Sequence, residues 1–567
     1  MDINRNRLQW SIHSFILMII IISSVFASFT GVSFGAYSKA PPSPSGPGVN
    51  DPNLAVEKIT DDLSTPTSMA FLGPGEMLVT EKNTGRVVHV VNGEVQDVPV
   101  LDVQVATKIE RGLLGIAVSK NNVGNTHVFL FYTESGGGND GDDVTAEVEP
   151  LGNRLYRYDY VNGKLVNPML LLDLPANPVN INRTDHNGGK VIIGPDNNVY
   201  TVIGEVGGHR TQAQNIFDGP PADGTGGVLR ITQDGQVVEP IFGPDLPLSI
   251  YYAIGIRNSF GIDFDPVTGI MWDTENGPDE GDEINMVEPG FNSGWALIQG
   301  DASTGVLGPE ASEADLIAFE NSVYQEPAFS WEFPIGITDA KFLNSDKLGK
   351  QYENNLFAGD INNGHLYRFT LNEERDAIEL LNGTYSGDLD ALSDNEVDET
   401  METSPIIFGQ GFGGITDLDV GPDGYLYVLT FQGDLYRVLP KSASLPTPNT
   451  PVTAASVSPA APTSGQQPPA STSANAVTAR IVGIEGDESY DPNPIEISMG
   501  QTITWLNGDT ISHTVTSGFA DDPNEGALFD SDAIISGHAY SKTFEEPGTY
   551  EYYCIYHPDM VGEIVVE

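Results

Sequence analysis

Six times along the chain, turn-forming residues lead into a short run of aliphatic, β-branched and aromatic residues. The runs are Gly75-Glu76-Met77-Leu78-Val79, Thr126-His127-Val128-Phe129-Leu130, Pro195-Asp196-Asn197-Asn198-Val199-Tyr200, Thr268-Gly269-Ile270-Met271-Trp272, Glu353-Asn354-Asn355-Leu356-Phe357 and Pro422-Asp423-Gly424-Tyr425-Leu426-Tyr427. Several are followed by a second strand with a common stamp: Gly85-Arg86-Val87-Val88, Asn153-Arg154-Leu155-Tyr156, Gly227-Val228-Leu229-Arg230, Gly364-His365-Leu366-Tyr367-Arg368 and Gly433-Asp434-Leu435-Tyr436-Arg437. A sheet-forming unit recurring about every 50 to 85 residues is the pattern of propeller blades. Six units predict six blades between residues 53 and 440. A stacked sandwich array would need shorter, more regular repeats.

Composition agrees with an all-β chain: glycine (62) and proline (39) are abundant, and no long stretch has the 3.6-residue periodicity of an amphipathic helix. Against 26 Lys and Arg stand 79 Asp and Glu, a net charge of −53. That excludes nucleic acid as a partner, since phosphate backbones require cationic surface. It suits a solvated acidic exterior. Residues 1–38 carry Arg5 and Arg7 before an apolar centre at Phe15 to Phe26, which predicts an export signal or, if uncut, a membrane anchor. The body is then expected in an extracellular or periplasm-like space. A Pro/Ser/Gly spacer fills 39–52. From 441 to 476 proline, serine, threonine and alanine dominate, predicting a linker that reaches on the order of 100 Å when extended.

Cys554 is the single cysteine of the chain, so no disulfide forms within it. It precedes His557 by three residues and Met560 by six. Thiolate, imidazole and thioether at that spacing are the soft donors of a type 1 copper site, which needs one more histidine. Thr502 to Leu506 has a strand pattern and leads to a loop that delivers His513. Gly548 to Tyr553 is a strand entering Cys554, and Val561 to Val566 a strand after Met560. The expected ligands are therefore His513, Cys554, His557 and Met560. Nine histidines with no His-x-His pair argue against a multicopper oxidase. Residues 477–567 resemble the plastocyanin and amicyanin cupredoxins, with offsets after the cysteine closest to the amicyanin pattern. The resemblance implies a Greek-key β-sandwich that moves single electrons to or from a redox partner protein.

In the repeat region His186 precedes one strand and Glu205 ends the next, so antiparallel pairing would let the carboxylate hold the imidazole and raise its basicity. Gly255-Ile256-Arg257-Asn258 adds an arginine and an amide, and Glu275 to Asn285 forms an acidic, cation-friendly loop. With Gly112-Leu113-Leu114-Gly115, Asp185-His186, Asn276-Gly277-Pro278 and Gly290-Phe291-Asn292-Ser293-Gly294-Trp295, these stretches resemble the glucose/sorbosone dehydrogenase family over about residues 55–440. The family's members are six-bladed propellers that oxidise aldoses with pyrroloquinoline quinone (PQQ) and calcium. The resemblance implies His186, Glu205 and Arg257 as catalytic residues. It implies Glu110, Asp185, Arg257, Asn258 and Asn276 at the cofactor, and the carbonyls of Gly277 and Pro278 on calcium. Asn362 stands where the family has a lysine, and Gly414 and Thr416 where it has two arginines. Lys190, just after the His186 turn, is the nearest alternative cation. Two functions follow: a sugar dehydrogenase that passes electrons to its own copper domain, or a non-catalytic scaffold propeller that carries a copper electron carrier.

Overall fold

The structure, a computed structural model, describes residues 46–443 and 476–567 except 121–123, 177–183, 279, 301–311, 381–391, 393–394, 398–399, 483–488, 508–512, 520–525, 527, 532–533, 535–538, 545–546, 556 and 558–559. The expected signal or anchor and most of the expected linker lie outside the described residues. Among the described residues the chain is built from strands, and its one α-helix is the four-residue Asp142–Thr145.

Up to Pro440 the strands form six largely antiparallel sheets. The six repeat runs lead into or lie in their second strands: Glu76–Glu81, Thr126–Glu134, Val199–Ile203, Met271–Glu275, Leu356–Asp360 and Leu426–Thr430. Both faces of these strands are covered; Val199–Ile203 and Leu426–Thr430 are buried at every position. That is why they read as continuous apolar runs and not as alternating ones. The repeat extends to the turns. Asn197 and Gly424 adopt positive φ (65° and 80°) in matching places, which asparagine and glycine tolerate. Asp196 and Asp423 accept the N–H of Asn198 (3.1 Å) and Tyr425 (3.2 Å) and the hydroxyls of Tyr200 (2.9 Å) and Tyr427 (3.0 Å).

The first strands of the sheets are Pro66–Gly73, Leu113–Lys120, Val191–Ile193, Ser259–Phe264, Ile337–Phe342 and Ile415–Val420. Each packs against the next in chain order, and the sixth packs against the first. The N-terminal strand Leu54–Thr60 completes the sixth sheet by pairing with Leu435–Pro440. Gly48–Val49 pairs with Ile407–Gln410 of the fifth sheet, fastened by Asn50 Nδ2 on the Ile407 carbonyl (2.8 Å) and the Tyr352 hydroxyl on Asp51 (2.7 Å). The spacer expected over 39–52 is therefore shorter, because residues from Gly48 onward belong to the sheets.

Where the first strands meet, two cationic side chains sit among carboxylates. Lys190 lies between Asp339 (2.7 Å) and Asp417. Asp417 also accepts the Met69 N–H (2.6 Å), and Asp339 accepts that of Leu418 (2.8 Å). Lys341 lies between Asp263 (3.4 Å) and Asp419 (3.2 Å). These contacts join five of the six sheets. Removing one member of a buried ion pair strands the other charge, at a cost of about 3–5 kcal/mol. Lys190→Met is expected to lower the unfolding free energy of this region by about that amount, read from denaturant melts. A loss below about 1 kcal/mol, the scale of an exposed pair, would show that the cluster does not hold the sheets together.

Residues 476–567 form two four-stranded sheets. One contains Ala476–Ile481, Tyr490–Asp491, Thr502–Asn507 and Ala539–Thr543; the other contains Ile495–Ile497, Thr516–Ser517, Gly548–Tyr553 and Val561–Val566. They share one apolar core, in which Trp505 of the first sheet and Tyr552 of the second meet edge to face at 5.6 Å. The Trp505 Nε1–H donates to the Tyr552 hydroxyl at 3.2 Å, so the polar end of each ring is satisfied inside the core.

Candidate functional site

Val191 lies opposite Thr201 in the antiparallel pair Val191–Ile193 and Val199–Ile203. The segment before the first strand and the segment after the second therefore run side by side. This places Nδ1 of His186 3.1 Å from Oε1 of Glu205, both side chains buried, as the strand-end reasoning anticipates. Glu205 Oε2 accepts the indole N–H of Trp295 at 2.7 Å and Nε–H of Arg210 at 3.3 Å. Burial pushes the Glu205 carboxyl up, but His186, Trp295 and Arg210 outweigh it and hold the pKa at about 2. An ionised acceptor on Nδ1 keeps the proton on that nitrogen and leaves Nε2 as the basic one. Nε2 faces Asp185 at 3.4 Å. The backbone of His186 is left-handed (φ 62°), a strained conformation for a histidine. Glu110 holds it there by accepting the N–H groups of His186 and Asn187. The Glu110 carboxylate, expected at the cofactor, is thus spent on the backbone of His186 and Asn187 and on Asn258 Nδ2 (3.2 Å).

Arg257 donates its N–H to Glu275 (2.7 Å), and its Nη1 bonds the carbonyls of Asn276 (2.8 Å) and Gly277 (2.7 Å). Asn276 Nδ2 bonds the Ile337 carbonyl at 2.7 Å, so Asn276 staples two loops together. Asn258 Oδ1 is buried and has no hydrogen-bond partner among the described residues, an acceptor open to a ligand hydroxyl.

At Gly277, one of the two carbonyls expected on calcium with Pro278, a competing cation is in place. A guanidinium 2.7 Å from the Gly277 carbonyl oxygen takes one of its two lone pairs, and its charge opposes a second cation there. Two of the loop acids are also engaged: Asp282 accepts the N–H of Gly277 (3.0 Å), Ile335 (2.9 Å) and Gly336 (2.8 Å), and Glu283 accepts Gln299 Nε2 (2.8 Å). Lys190 fails as a substitute cation because Asp339 and Asp417 hold it. At the family's arginine positions, Thr416 Oγ1 donates to the Pro66 carbonyl at 3.0 Å. A Cβ on Gly414 would lie 2.8 Å from Ile361 Cγ1. Arg257 and Arg210 both lie over Trp295, their guanidinium carbons 5.3 and 4.8 Å from its ring centre.

The second centre lies in the C-terminal sheets. The Cys554 carbonyl accepts the His557 N–H (3.2 Å), and the His557 carbonyl accepts the Met560 N–H (2.8 Å). Two successive backbone bonds, each between residues three apart, thus account for the offsets in the sequence. The Cys554 N–H closes the loop on the Met560 carbonyl at 3.0 Å. His513 is pinned to Ile534 by a bridge of two backbone bonds. Cys554 Sγ is 3.8 Å from His513 Nδ1 and 3.5 Å from His557 Nδ1, and the donor atoms of these three residues all lie within 4.8 Å of one another. Burial raises the Cys554 thiol, but the two imidazoles and the Thr514 N–H outweigh it and bring the pKa down to about 6. Cys554, His513 and Met560 are buried, whereas His557 is partly exposed. A thiolate and two imidazole nitrogens at this spacing, with a buried methionine in the same loop, fit copper.

A buried histidine–carboxylate pair thus lies on one set of sheets and a thiolate–imidazole cluster on another. The chain belongs to the glucose/sorbosone dehydrogenase family, whose family model (Glucose / Sorbosone dehydrogenase) matches residues 63–437, and it carries at residues 477–567 a domain matching copper binding proteins of the plastocyanin/azurin family. Aldose sugar dehydrogenase YliI of Escherichia coli (strain K12) is 26% identical over 394 residues, covering 68% of this chain and 93% of the relative. Quinoprotein glucose dehydrogenase B of Acinetobacter calcoaceticus is 27% identical over 291 residues, 47% of this chain and 58% of the relative. Amicyanin of Paracoccus versutus is 35% identical over 89 residues, 16% of this chain and 65% of the relative.

Proposed function

We propose that the chain is an exported aldose dehydrogenase of the quinoprotein kind that passes its electrons to a type 1 copper centre on the same chain. The six sheets, whose first strands contact one another in a closed cycle, are taken as a six-bladed propeller over residues 48–440. The two C-terminal sheets are taken as a Greek-key cupredoxin. The observation that carries the enzymatic reading is the buried His186–Glu205 pair beside Asn258 Oδ1, a buried acceptor with no partner among the described residues. A scaffold has no use for an oriented base.

In this reading His186 Nε2 takes the proton of the sugar's anomeric hydroxyl, and Glu205 stabilises the imidazolium that results. Asn258 Oδ1 accepts from a ligand hydroxyl. Arg257 and Arg210 supply the positive charge that an anionic quinone requires. PQQ, when bound, accepts the two electrons and the C1 hydrogen of the sugar. In the copper domain Cys554, His513, His557 and Met560 hold the ion, which when bound carries one electron at a time. The partly exposed edge of His557 is the point where a redox partner protein approaches. The N-terminal apolar segment supports export, with membrane anchoring if it is not removed.

The absence of basic side chains at Asn362, Gly414 and Thr416 favours the second reading, a scaffold propeller, and sets the test. The full chain is mixed with PQQ and assayed for aldose-dependent dye reduction. The expected result is sugar oxidation that saturates at higher PQQ than a fully cationic cradle requires, because each missing charge-assisted hydrogen bond is worth about 1.5–3 kcal/mol. No sugar oxidation at any PQQ concentration, in a chain that still binds copper, would establish the scaffold reading.

A further inference from the structure

We propose that Arg210, together with Trp295, is a positioning residue for the His186 base: the two donors occupy the second oxygen of Glu205 so that the first stays on His186 Nδ1. The inference rests on the reading of His186 as the base of sugar oxidation. A carboxylate engaged at one oxygen alone turns easily about its terminal torsion, which is broad for an sp³–sp² bond. In Glu205 both oxygens are engaged, Oε1 by His186 (3.1 Å) and Oε2 by Trp295 (2.7 Å) and Arg210 (3.3 Å). The carboxylate is fully buried and satisfied by three donors, a high-stakes network in a low-dielectric setting.

Arg210 reaches Glu205 by design of the loop that bears it. Val206 N–H bonds the His186 carbonyl (3.2 Å), and Gly207 N–H bonds that of Asp185 (2.9 Å). The His209 ring is tied to Asp223 at 2.7 Å, and Thr211 caps the short turn Gln212–Gln214. Arg210 therefore sits between two anchored neighbours, and its guanidinium stacks on Trp295. The charged and titratable groups that face His186 are Glu205, Asp185 and Glu110; Arg210 and Arg257 act through Glu205 and Trp295. Asp185, Glu110 and Glu205 favour the imidazolium, while Arg210 opposes it. Removing the Arg210 charge should make His186 harder to deprotonate.

The test uses the full chain. Arg210→Gln removes the charge and keeps a donor, Arg210→Lys keeps the charge, and Trp295→Phe keeps the ring and removes the indole donor. Two titrations are followed: the acid limb of kcat/KM for aldose oxidation, and the imidazole ¹⁵N shifts of His186 by selective histidine labelling, which needs no cofactor. Arg210→Gln is expected to move both midpoints to higher pH by on the order of half to one unit, the low end for a nearby charge because the arginine is partly exposed. Arg210→Lys should restore most of the shift, and Trp295→Phe should raise the fraction of the Nε2–H tautomer. A chain without sugar oxidation whose NMR midpoint still moves would retain the positioning role and discard the dehydrogenase reading. Unmoved NMR midpoints in Arg210→Gln, with only a general loss of rate or of folding, would overturn the proposal.

Discussion

Serine at position 554 is expected to abolish the intense visible absorption of the copper-loaded chain. The hydroxyl is a hard and far weaker donor than a thiolate, and the charge-transfer band belongs to the copper–thiolate bond. Copper affinity should fall by more than the roughly 10- to 100-fold that loss of an outer-shell partner costs. The same site sets a pH dependence. The folded thiol is lowered from its usual range to about 6 by His513, His557 and the Thr514 N–H, against the opposing effect of burial. The stabilisation of the thiolate is therefore fully present above the ordinary thiol range and is lost as pH falls through about 6. Copper affinity should weaken over the same acid range as protons compete for sulfur and imidazole. An unchanged band in Cys554→Ser would mean that the ligand set is wrong.

Alanine at position 186 should cut kcat/KM for aldose oxidation by about 10²- to 10⁴-fold, the range of a positioned general base, while the copper spectrum stays as it is. The loss should lie in kcat, because the Nε2 proton transfer belongs to the transition state and not to sugar binding. Glu205→Gln should cost less at low pH than at high pH. The neutral amide still fills the space but no longer stabilises an imidazolium, so His186 becomes a weaker base that loses its proton at lower pH. A His186→Ala enzyme with full turnover and a raised KM would move this residue from chemistry to binding.

Much of the fold was legible because it repeats. Strands buried on both faces carry unbroken apolar runs, and their hairpin turns need asparagine or glycine at positive φ, as at Asn197 and Gly424. The copper loop was legible for a different reason: two successive backbone bonds between residues three apart translate the spacing Cys554, His557, Met560 directly into proximity. His186 and Glu205 were within reach because strand register alone brings their segments together. What stayed hidden depends on side chains whose partners lie far along the chain. Lys190 looks available beside the His186 turn, yet Asp339 and Asp417, on later sheets, claim it. Gly277 looks like a calcium ligand until Arg257 is seen on its carbonyl. Gly48–Val49 looks like spacer, because its partner strand is Ile407–Gln410. The roles of Arg210 and Glu110 lack a local signal altogether; an arginine five residues after Glu205 has meaning only once Trp295 is folded against both.

Sugar oxidised at His186 is expected to reduce copper held by Cys554 on the same chain. The most direct measurement is anaerobic mixing of the Cu(II)-loaded, PQQ-supplied full chain with an aldose, followed in the visible copper band. Bleaching is expected that requires sugar, is lost in His186→Ala, and proceeds at a first-order rate independent of protein concentration. A band that persists with aldose but is bleached at once by a chemical reductant would contradict it.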